Sequence, residues 1–245
     1  MSRLASAYDR ACSTLKPQKQ GTCGLYSFWY ASLLLSQINP GTRPVIYPRG
    51  GEGGTGESLR HYAKHTIGSG QGEVQSCAEM VQIIRHFGYD CDAHVGAGGR
   101  EAFITRALEA DRPVVFPYMF GGGGPIYWFP RGKDGARQGG TDYGPHWSLI
   151  YREMGSAYLY IEPNQPNTPV KQPKEIVLKS NAFVDSYKYD RYWSKGGRFA
   201  EDGTELPYDE RSMIAPLGDI WTSEMKYDIG PKSRQALANV LIAIR

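Results

Sequence analysis

The chain has 245 residues, 40% of them hydrophobic and 22% charged, which is the composition of an ordinary soluble globular protein. That length suits one large domain or two small ones, and we expect a single domain covering residues 1–245. The 28 basic and 25 acidic residues leave a net charge of +3. This charge is too small for a protein that binds nucleic acid electrostatically.

The four cysteines, Cys12, Cys23, Cys77 and Cys91, are too few for the disulfide framework of a small secreted protein. None forms a Cys-x-x-Cys pair, so a structural zinc site has little support. The sequence shows neither a classical signal peptide nor an apolar run long enough to span a membrane. We therefore expect a cytoplasmic protein with no cofactor and no nucleic-acid or membrane partner, although specialised secretion into a host cell would leave no signature here.

The predicted secondary structure begins at Cys23, since residues 1–22 are polar and suggest no regular element. From Cys23 to Leu35 nearly every residue is apolar. The run is too long for a strand and predicts a buried helix ending at Asn39-Pro40-Gly41. The elements predicted next are a glycine-rich loop over 41–72 with a short helix at Glu57–His65, a helix at Ser76–Phe87, a strand at Tyr89–Val95, a helix at Arg100–Ala110 and a strand at Val114–Tyr118.

The second half of the chain is predicted to be mostly strand. A glycine-rich insertion runs from Gly121 to Gly144, and the strands Trp147–Glu153 and Ala157–Glu162 form a hairpin. We expect a further strand at Ile176–Leu178 and an apolar element, helix or strand, at Ala236–Ile244. This order of elements predicts an α+β fold in which a buried helix and a mostly antiparallel sheet form opposite layers of one core.

Cys23 is the candidate nucleophile. It stands where the long buried helix begins, and the positive end of a helix favours the reactive thiolate. Gly21 and Gly24 beside it would let backbone and substrate approach closely. The alternative is an inert core cysteine, because free cysteine is among the most buried residue types.

A reactive thiolate needs a base, and His146 is the best placed of the five histidines. It opens a core strand directly after Gly144-Pro145, so its direction is fixed while it can still reach a cleft. The other histidines lie in a polar loop, within an amphipathic helix or at the end of a strand: His61, His65, His86 and His94. The alternative for His146 is a structural role.

The base in turn needs an acceptor on its second ring nitrogen. The neighbouring strand ends at Glu162-Pro163-Asn164, and antiparallel pairing would bring that end beside His146. Both Glu162 and Asn164 can accept from an imidazole N–H. An oxyanion donor is also required, and Gln18 and Gln20 can each supply a side-chain amide beside the Cys23 backbone N–H.

Several short motifs occur in an order that resembles the papain superfamily. The segment Gln18-Lys-Gln-Gly-Thr-Cys23-Gly24 is similar to its pattern of a Gln shortly before a Cys that opens the central helix. Ile84-Arg-His-Phe87-Gly88-Tyr89 and Ala107-Leu-Glu-Ala-Asp111-Arg112-Pro113-Val114-Val115 resemble motifs of the bacteriocin-leader-processing peptidase branch. In that branch a His and an aromatic residue precede an Asp-Pro by about sixteen residues, and His146-Trp147 and Glu162-Pro163 match this spacing.

The resemblance covers residues 15–165, and the Cys and His regions also look like the cytosolic eukaryotic proteases that mature the actin N-terminus. Two positions depart from the family pattern. The usual Gln lies six residues before the Cys, where this chain has Pro17, and Glu162 stands in place of Asp. The resemblance implies a thiol peptidase or amidase acting on a peptide or protein, in the manner of a bacterial effector or toxin. A glutamine deamidase or acyltransferase, and an inactive peptide-binding domain, are the alternatives.

Three further features have weaker functional interpretations. The loop containing Gly121-Gly-Gly-Gly124 could cover a cleft as a flap, although a plain surface loop is commoner. Cys77, Cys91 and His94 could be proposed as metal ligands, but without tight spacing they predict core packing. The segment Tyr187–Trp193 alternates aromatic and charged residues, and an amphipathic strand is a simpler interpretation than a binding surface.

Overall fold

The computed structural model describes residues 2–19, 22–41, 44, 46–49, 57–67, 74, 76–121, 124–127, 144–184, 198–199, 205–206 and 237–245. Most of the glycine-rich insertion and the whole of Tyr187–Trp193 lie outside these residues, as does Gln20. The helices are α1 Arg3–Ala11, α2 Cys23–Ile38, α3 Leu59–Tyr62, α4 Cys77–His86, α5 Arg100–Glu109 and α6 Lys174–Phe183. A 3₁₀ turn at Cys12–Thr14 follows α1, and a π-helical turn at Ala63–Ile67 continues α3.

The fold is α+β, with a mostly antiparallel open sheet. The strands are β1 Cys91–Val95, β2 Val114–Gly121, β3 Gly124–Pro125, β4 Gly144–Met154, β5 Ala157–Ile161, β6 Val170–Pro173, β7 Arg198–Phe199, β8 Glu205–Leu206 and β9 Val240–Ile244. The main sheet has the order β1-β9-β2-β4-β5-β6, with β3 paired to β2, and every strand pair in the described part of the chain is antiparallel. The predicted hairpin is therefore confirmed as β4 and β5.

The N-terminal helix α1 is one element that the sequence analysis missed. Ser2 caps it by accepting from the Ala5 backbone N–H at 3.2 Å. A buried stripe of Leu4, Ala7, Tyr8 and Ala11 runs along one face at helical spacing, and Ala5 is buried beside it. Half of that stripe is alanine, whose small side chain contributes little hydrophobicity, so the segment as a whole looks polar. The helix packs against α2 and β4, and the Tyr8 ring stacks on Tyr151 at 4.6 Å.

The strand predicted at Ile176–Leu178 is wrong, because those residues lie within helix α6. The buried residues Val177, Ser180, Asn181 and Val184 have the i, i+3, i+4, i+7 spacing of a helix face. A three-residue window of β-branched and aliphatic side chains concealed that longer period. The Ser180 hydroxyl hydrogen-bonds both the N–H and the C=O of Met119, which fastens α6 to β2.

The C-terminal apolar stretch is a strand, β9, and it lies in the interior of the sheet. It pairs with β1 from Cys91↔Ile244 to Val95↔Val240 and with β2 at Val114 and Val115. Asn181 reaches the point where β2 and β9 diverge, and its amide donates to the carbonyls of Pro117 at 2.8 Å and Val240 at 3.1 Å. The last residues of the chain thus belong to the same sheet as His146. None of the described helices combines the length and the apolar character needed to cross a membrane.

Candidate functional site

Cys23 is the first residue of α2 and is only partly buried. The residue before it, Thr22, is fully buried, but its hydroxyl donates to the Lys19 carbonyl at 2.6 Å and does not cap the helix. No acidic side chain occupies the first turn of α2 either. The positive end of the helix dipole therefore adjoins the thiol, where it favours negative charge on sulfur.

Gly24 allows the start of α2 to pack closely against the segment that leads into α4. A Cβ atom at this position would lie 3.0 Å from Val74 Cβ and 3.1 Å from Met80 Cε, too close for an alanine without movement of a neighbour. The Val74 carbonyl also accepts from the indole N–H of Trp147 at 2.8 Å. Val74 thus joins the second residue of α2 to the residue that follows His146, which holds the two chain segments of the site together.

His146 lies on β4 with 7% of its surface exposed, opposite Tyr118 of β2. Its Nε2 is 2.6 Å from Glu162 Oε1. An ionised carboxylate can only accept, so Nε2 carries the proton in that contact. The same imidazole interacts with the Cys23 side chain, which favours its charged form. Because Nε2 is engaged by Glu162, Nδ1 is the ring nitrogen that remains for the thiol. Tyr118 meets the ring edge-on at 5.6 Å and Phe120 lies against it at 5.3 Å.

Opposing effects act on the charge of His146. Burial is the largest and disfavours the imidazolium, but negative charge on Cys23, the hydrogen bond to Cys23 and the contact with Glu162 all favour it. Together they raise the pKa of His146 from 6.5 to about 9. The arrangement therefore favours a protonated imidazole at neutral pH.

Glu162 directly follows Ile161, which pairs with Leu149 of β4, so the hairpin brings the carboxylate back to His146 as predicted. Glu162 is buried, and its Oε2 accepts from the Asn164 backbone N–H at 2.9 Å. The Asn164 side-chain amide donates to Oε1 at 3.0 Å. Of the two candidates, Glu162 contacts the imidazole and Asn164 contacts Glu162.

Gln18 belongs to the same cluster. Its backbone N–H donates to the Pro163 carbonyl, and its side-chain Nε2 donates to Asn164 Oδ1, both at 2.7 Å. The structure therefore brings Cys23, His146, Glu162, Asn164 and Gln18 into one connected set of contacts. Which Gln serves an oxyanion stays a prediction, because Gln20 lies outside the described residues.

Tyr30 supports this cluster and was missed by the sequence analysis. Its hydroxyl donates to the Lys16 carbonyl at 2.6 Å and lies 3.5 Å from the Pro163 carbonyl, so it links the segment before Cys23 to the turn that carries Glu162. Tyr30 is two helical turns after Cys23 and therefore lies on the same side of α2. That i, i+7 relation was the available signal in the sequence.

The other histidines are engaged elsewhere. The rings of His61 and His65 lie 4.2 Å apart, His86 Nε2 is 2.7 Å from Glu57 Oε2 on the surface, and His94 Nε2 is 3.1 Å from the Gly96 carbonyl. All four cysteines are free thiols. Within the described ranges, no three His, Cys, Asp or Glu side chains converge in a way that could hold a metal ion.

Comparisons of the chain with protein-family models, with curated proteins and with solved structures find no match.

Proposed function

We propose that the chain is a cysteine-dependent hydrolase of papain-like fold that cleaves an amide bond in a peptide or protein. The observation that carries this proposal is the buried His146–Glu162 pair, in which the imidazole Nε2 lies 2.6 Å from the carboxylate while the ring also interacts with the Cys23 side chain. Nucleophile, base and orienting group in mutual contact are the arrangement that nucleophilic catalysis needs.

The chemistry follows from these roles. The Cys23 thiolate adds to the carbonyl carbon, and the carbonyl oxygen becomes an oxyanion. His146 gives its Nδ1 proton to the departing amine, which leaves a thioester on Cys23. Water then adds to the thioester, loses a proton to His146 and releases the acid and the thiolate. Glu162 keeps Nε2 protonated throughout and so fixes the tautomer that presents Nδ1 to the sulfur.

The papain-like assignment is supported by the order and placement of the parts. The thiol begins a helix in which most residues are buried, and the imidazole and carboxylate come from adjacent antiparallel strands that follow in the chain. The Glu in place of Asp is compatible with this role, because its carboxylate reaches Nε2 at 2.6 Å. A cytoplasmic site of action, including delivery into a host cell, forms part of the same proposal.

The four thiols provide an internal test of nucleophile activation. Burial raises the pKa of both Cys77 and Cys91, so these should react slowly, while the partly exposed Cys12 serves as the comparator. We expect iodoacetamide at pH 7 to label Cys23 at least about tenfold faster than Cys12, as mapped by mass spectrometry. The His146→Gln variant should lose this preference, and His86→Gln should keep it. Equal labelling of Cys23 and Cys12 would reject the proposal in favour of an inactive peptide-binding domain.

Product analysis identifies the reaction. Incubation with a peptide library should yield new amino termini if the enzyme is a peptidase. An uncleaved peptide whose mass has increased by the conversion of one Gln to Glu would instead identify a glutamine deamidase. A product in which the peptide is joined to an added amine would identify an acyltransferase. All three use the same thioester, so the labelling result would stand in each case.

A further inference from the structure

Helix α1 is attached to the C-terminal end of α2, the helix that begins with the candidate nucleophile. Arg3 donates to the Ile38 carbonyl at 3.1 Å. One helical face further on, Arg10 donates to the Gln37 carbonyl at 3.0 Å. Carbonyls in the last turn of a helix have no partner within that helix, so basic side chains bond them favourably. These two contacts fix the position of α1 relative to α2.

The buried face of α1 carries a tyrosine that reaches the loop after β5. Tyr8 is 4% exposed, and its hydroxyl donates to the Pro166 carbonyl at 3.0 Å. Its ring also stacks on Tyr151 of β4 at 4.6 Å. Because this stack fixes the direction of the ring, the hydroxyl holds the carbonyl from a rigid support.

Residues 162–168 form this loop, which we call the carboxylate loop because it begins with the buried carboxylate of the site. Its two prolines, Pro163 and Pro166, are buried, whereas the residues between them are exposed. A proline has no N–H, so the backbone of these two residues can only accept hydrogen bonds. The Pro163 carbonyl accepts from the Gln18 backbone N–H at 2.7 Å, and the Pro166 carbonyl accepts from Tyr8. Both attachments come from the segment that precedes the nucleophile.

A tight turn connects the Pro166 carbonyl to the carboxylate. The Gln165 N–H donates to the Glu162 carbonyl at 3.0 Å, which closes the turn directly before Pro166. The Glu162 side chain in turn lies 2.6 Å from His146 Nε2. A displacement of Pro166 would therefore be passed along this short turn to the oxygen that meets the imidazole.

We propose that Tyr8 is a positioning residue, which holds the carboxylate loop through the Pro166 carbonyl and thereby places Glu162 against His146. This inference rests on the proposed function. It gives α1 a role in the site as a rigid link between the helix of the nucleophile and the carboxylate, without supplying a reacting group.

Tyr8→Phe tests this role, because it removes the hydroxyl and keeps the ring that stacks on Tyr151. Loss of the bond should weaken the contact between Glu162 and His146, and that contact is one of the causes that raise the pKa of His146 to about 9. We expect the pKa of His146, followed by NMR of the imidazole C–H groups, to fall by about half a unit, since one neutral hydrogen bond is lost. A tyrosine that only stabilised the fold would leave this pKa unchanged.

The neighbouring tyrosines do not titrate in the range of this experiment. Burial is the main cause that raises the pKa of Tyr8 to about 12, so its hydroxyl remains a donor from about pH 5 to about pH 10. Tyr118 faces the His146 ring, and burial raises its pKa well above the ordinary value. The charged groups that act on His146 in the described part of the chain are Cys23 and Glu162.

Tyr89→Phe is the matched control. Tyr89 is 3% exposed, and its hydroxyl donates to the Pro44 carbonyl at 2.9 Å, so the same substitution removes the same kind of bond away from the carboxylate loop. Both variants should lower the thermal midpoint of unfolding, but only Tyr8→Phe should lower the pKa of His146. His146→Gln identifies the NMR signal, because it removes that resonance.

The inference is overturned if the pKa of His146 in Tyr8→Phe equals that in wild type, or if Tyr89→Phe lowers it as much. Failure of the proposed function is a separate result, because wild-type Cys23 would then be labelled no faster than Cys12. The NMR comparison would still decide whether Tyr8 positions Glu162.

Discussion

Glu162→Gln tests how the buried carboxylate controls the imidazole. The substitution keeps the shape of the side chain but removes its charge and replaces one oxygen by NH₂. Glu162 accepts three hydrogen bonds, from His146, the Asn164 amide and the Asn164 backbone. Whichever way the new amide turns, at least one of these donors then faces another donor. The isosteric change therefore loses both charge and a hydrogen bond.

The size of the expected change in the pKa of His146 follows from its contact with Glu162. A hydrogen bond to a charged group contributes about 1.5–3 kcal/mol, and 1.36 kcal/mol corresponds to one pKa unit. Since Glu162 is one of the groups that raise the pKa of His146 to about 9, we expect the variant to lower that pKa by about one to two units. The imidazolium would then lose its proton at about pH 7–8 instead of about pH 9.

The assay compares iodoacetate with iodoacetamide between pH 5 and pH 10. The anionic reagent is attracted by the imidazolium beside Cys23 and the neutral one is not, so the ratio of their rates follows the protonation of His146. In wild type this ratio should fall as pH rises through about 9, and in Glu162→Gln it should fall at a lower pH. Glu57→Gln is the matched control, because it removes the carboxylate of the exposed His86–Glu57 pair. An unchanged midpoint in Glu162→Gln would refute this account of the site.

Three further outcomes are expected. Gly24→Ala should destabilise the protein by about 1–3 kcal/mol and slow Cys23 labelling, because its Cβ would lie 3.0 Å from Val74. Gly98→Ala is the control, since the space around Gly98 is open, and it should leave the thermal midpoint unchanged. Equal effects of the two substitutions would contradict the packing argument. Asn181→Leu should lower the free energy of unfolding by about 1–3 kcal/mol in urea titrations, since the carbonyls of Pro117 and Val240 lose their donor. The comparison is Asn167→Ala, which removes the exposed hydrogen bond from Asn167 to the Cys12 carbonyl. A loss no greater than that of Asn167→Ala would count against the link between α6 and the sheet. The raised pKa of His146 should contribute at most about 3 kcal/mol of stability, complete below pH 6.5 and lost as pH rises through about 9, and a His146→Gln variant with the same pH dependence as wild type would disprove it.

The part of the site that could be predicted from the sequence depends on local patterns. The apolar run after Cys23 is too long for a strand and does begin a helix at that residue. The two strands separated by a short turn at Gly155 do pair, and pairing alone brings Glu162 to His146. The choice between Glu162 and Asn164 could not be made in this way, because both can accept from an imidazole and differ only in where the turn after β5 directs them.

Elements outside the site also show that local patterns could be recognised in the sequence while long-range pairing could not. Helix α6 was mistaken for a strand because its buried residues follow the i, i+3, i+4, i+7 spacing of a helix, and a window of three residues contains too little of that period. The C-terminal stretch was recognisably apolar, but nothing within it indicates that it inserts between β1 and β2. That position joins residues separated by more than a hundred positions in the chain, and no local pattern encodes such a pairing.

The sequence by itself determined the helix that begins at Cys23, the hairpin that carries His146 and the small residue that follows the thiol, since each depends on periodicity, turn residues or spacing along a short segment. The tertiary structure alone decided that Glu162 faces the imidazole, that Asn164 lies between Glu162 and Gln18, and that Val74 holds α2 beside β4. These contacts join segments far apart in the chain. Their geometry is fixed by packing in the core, where a shift of one side chain changes which donor meets which acceptor.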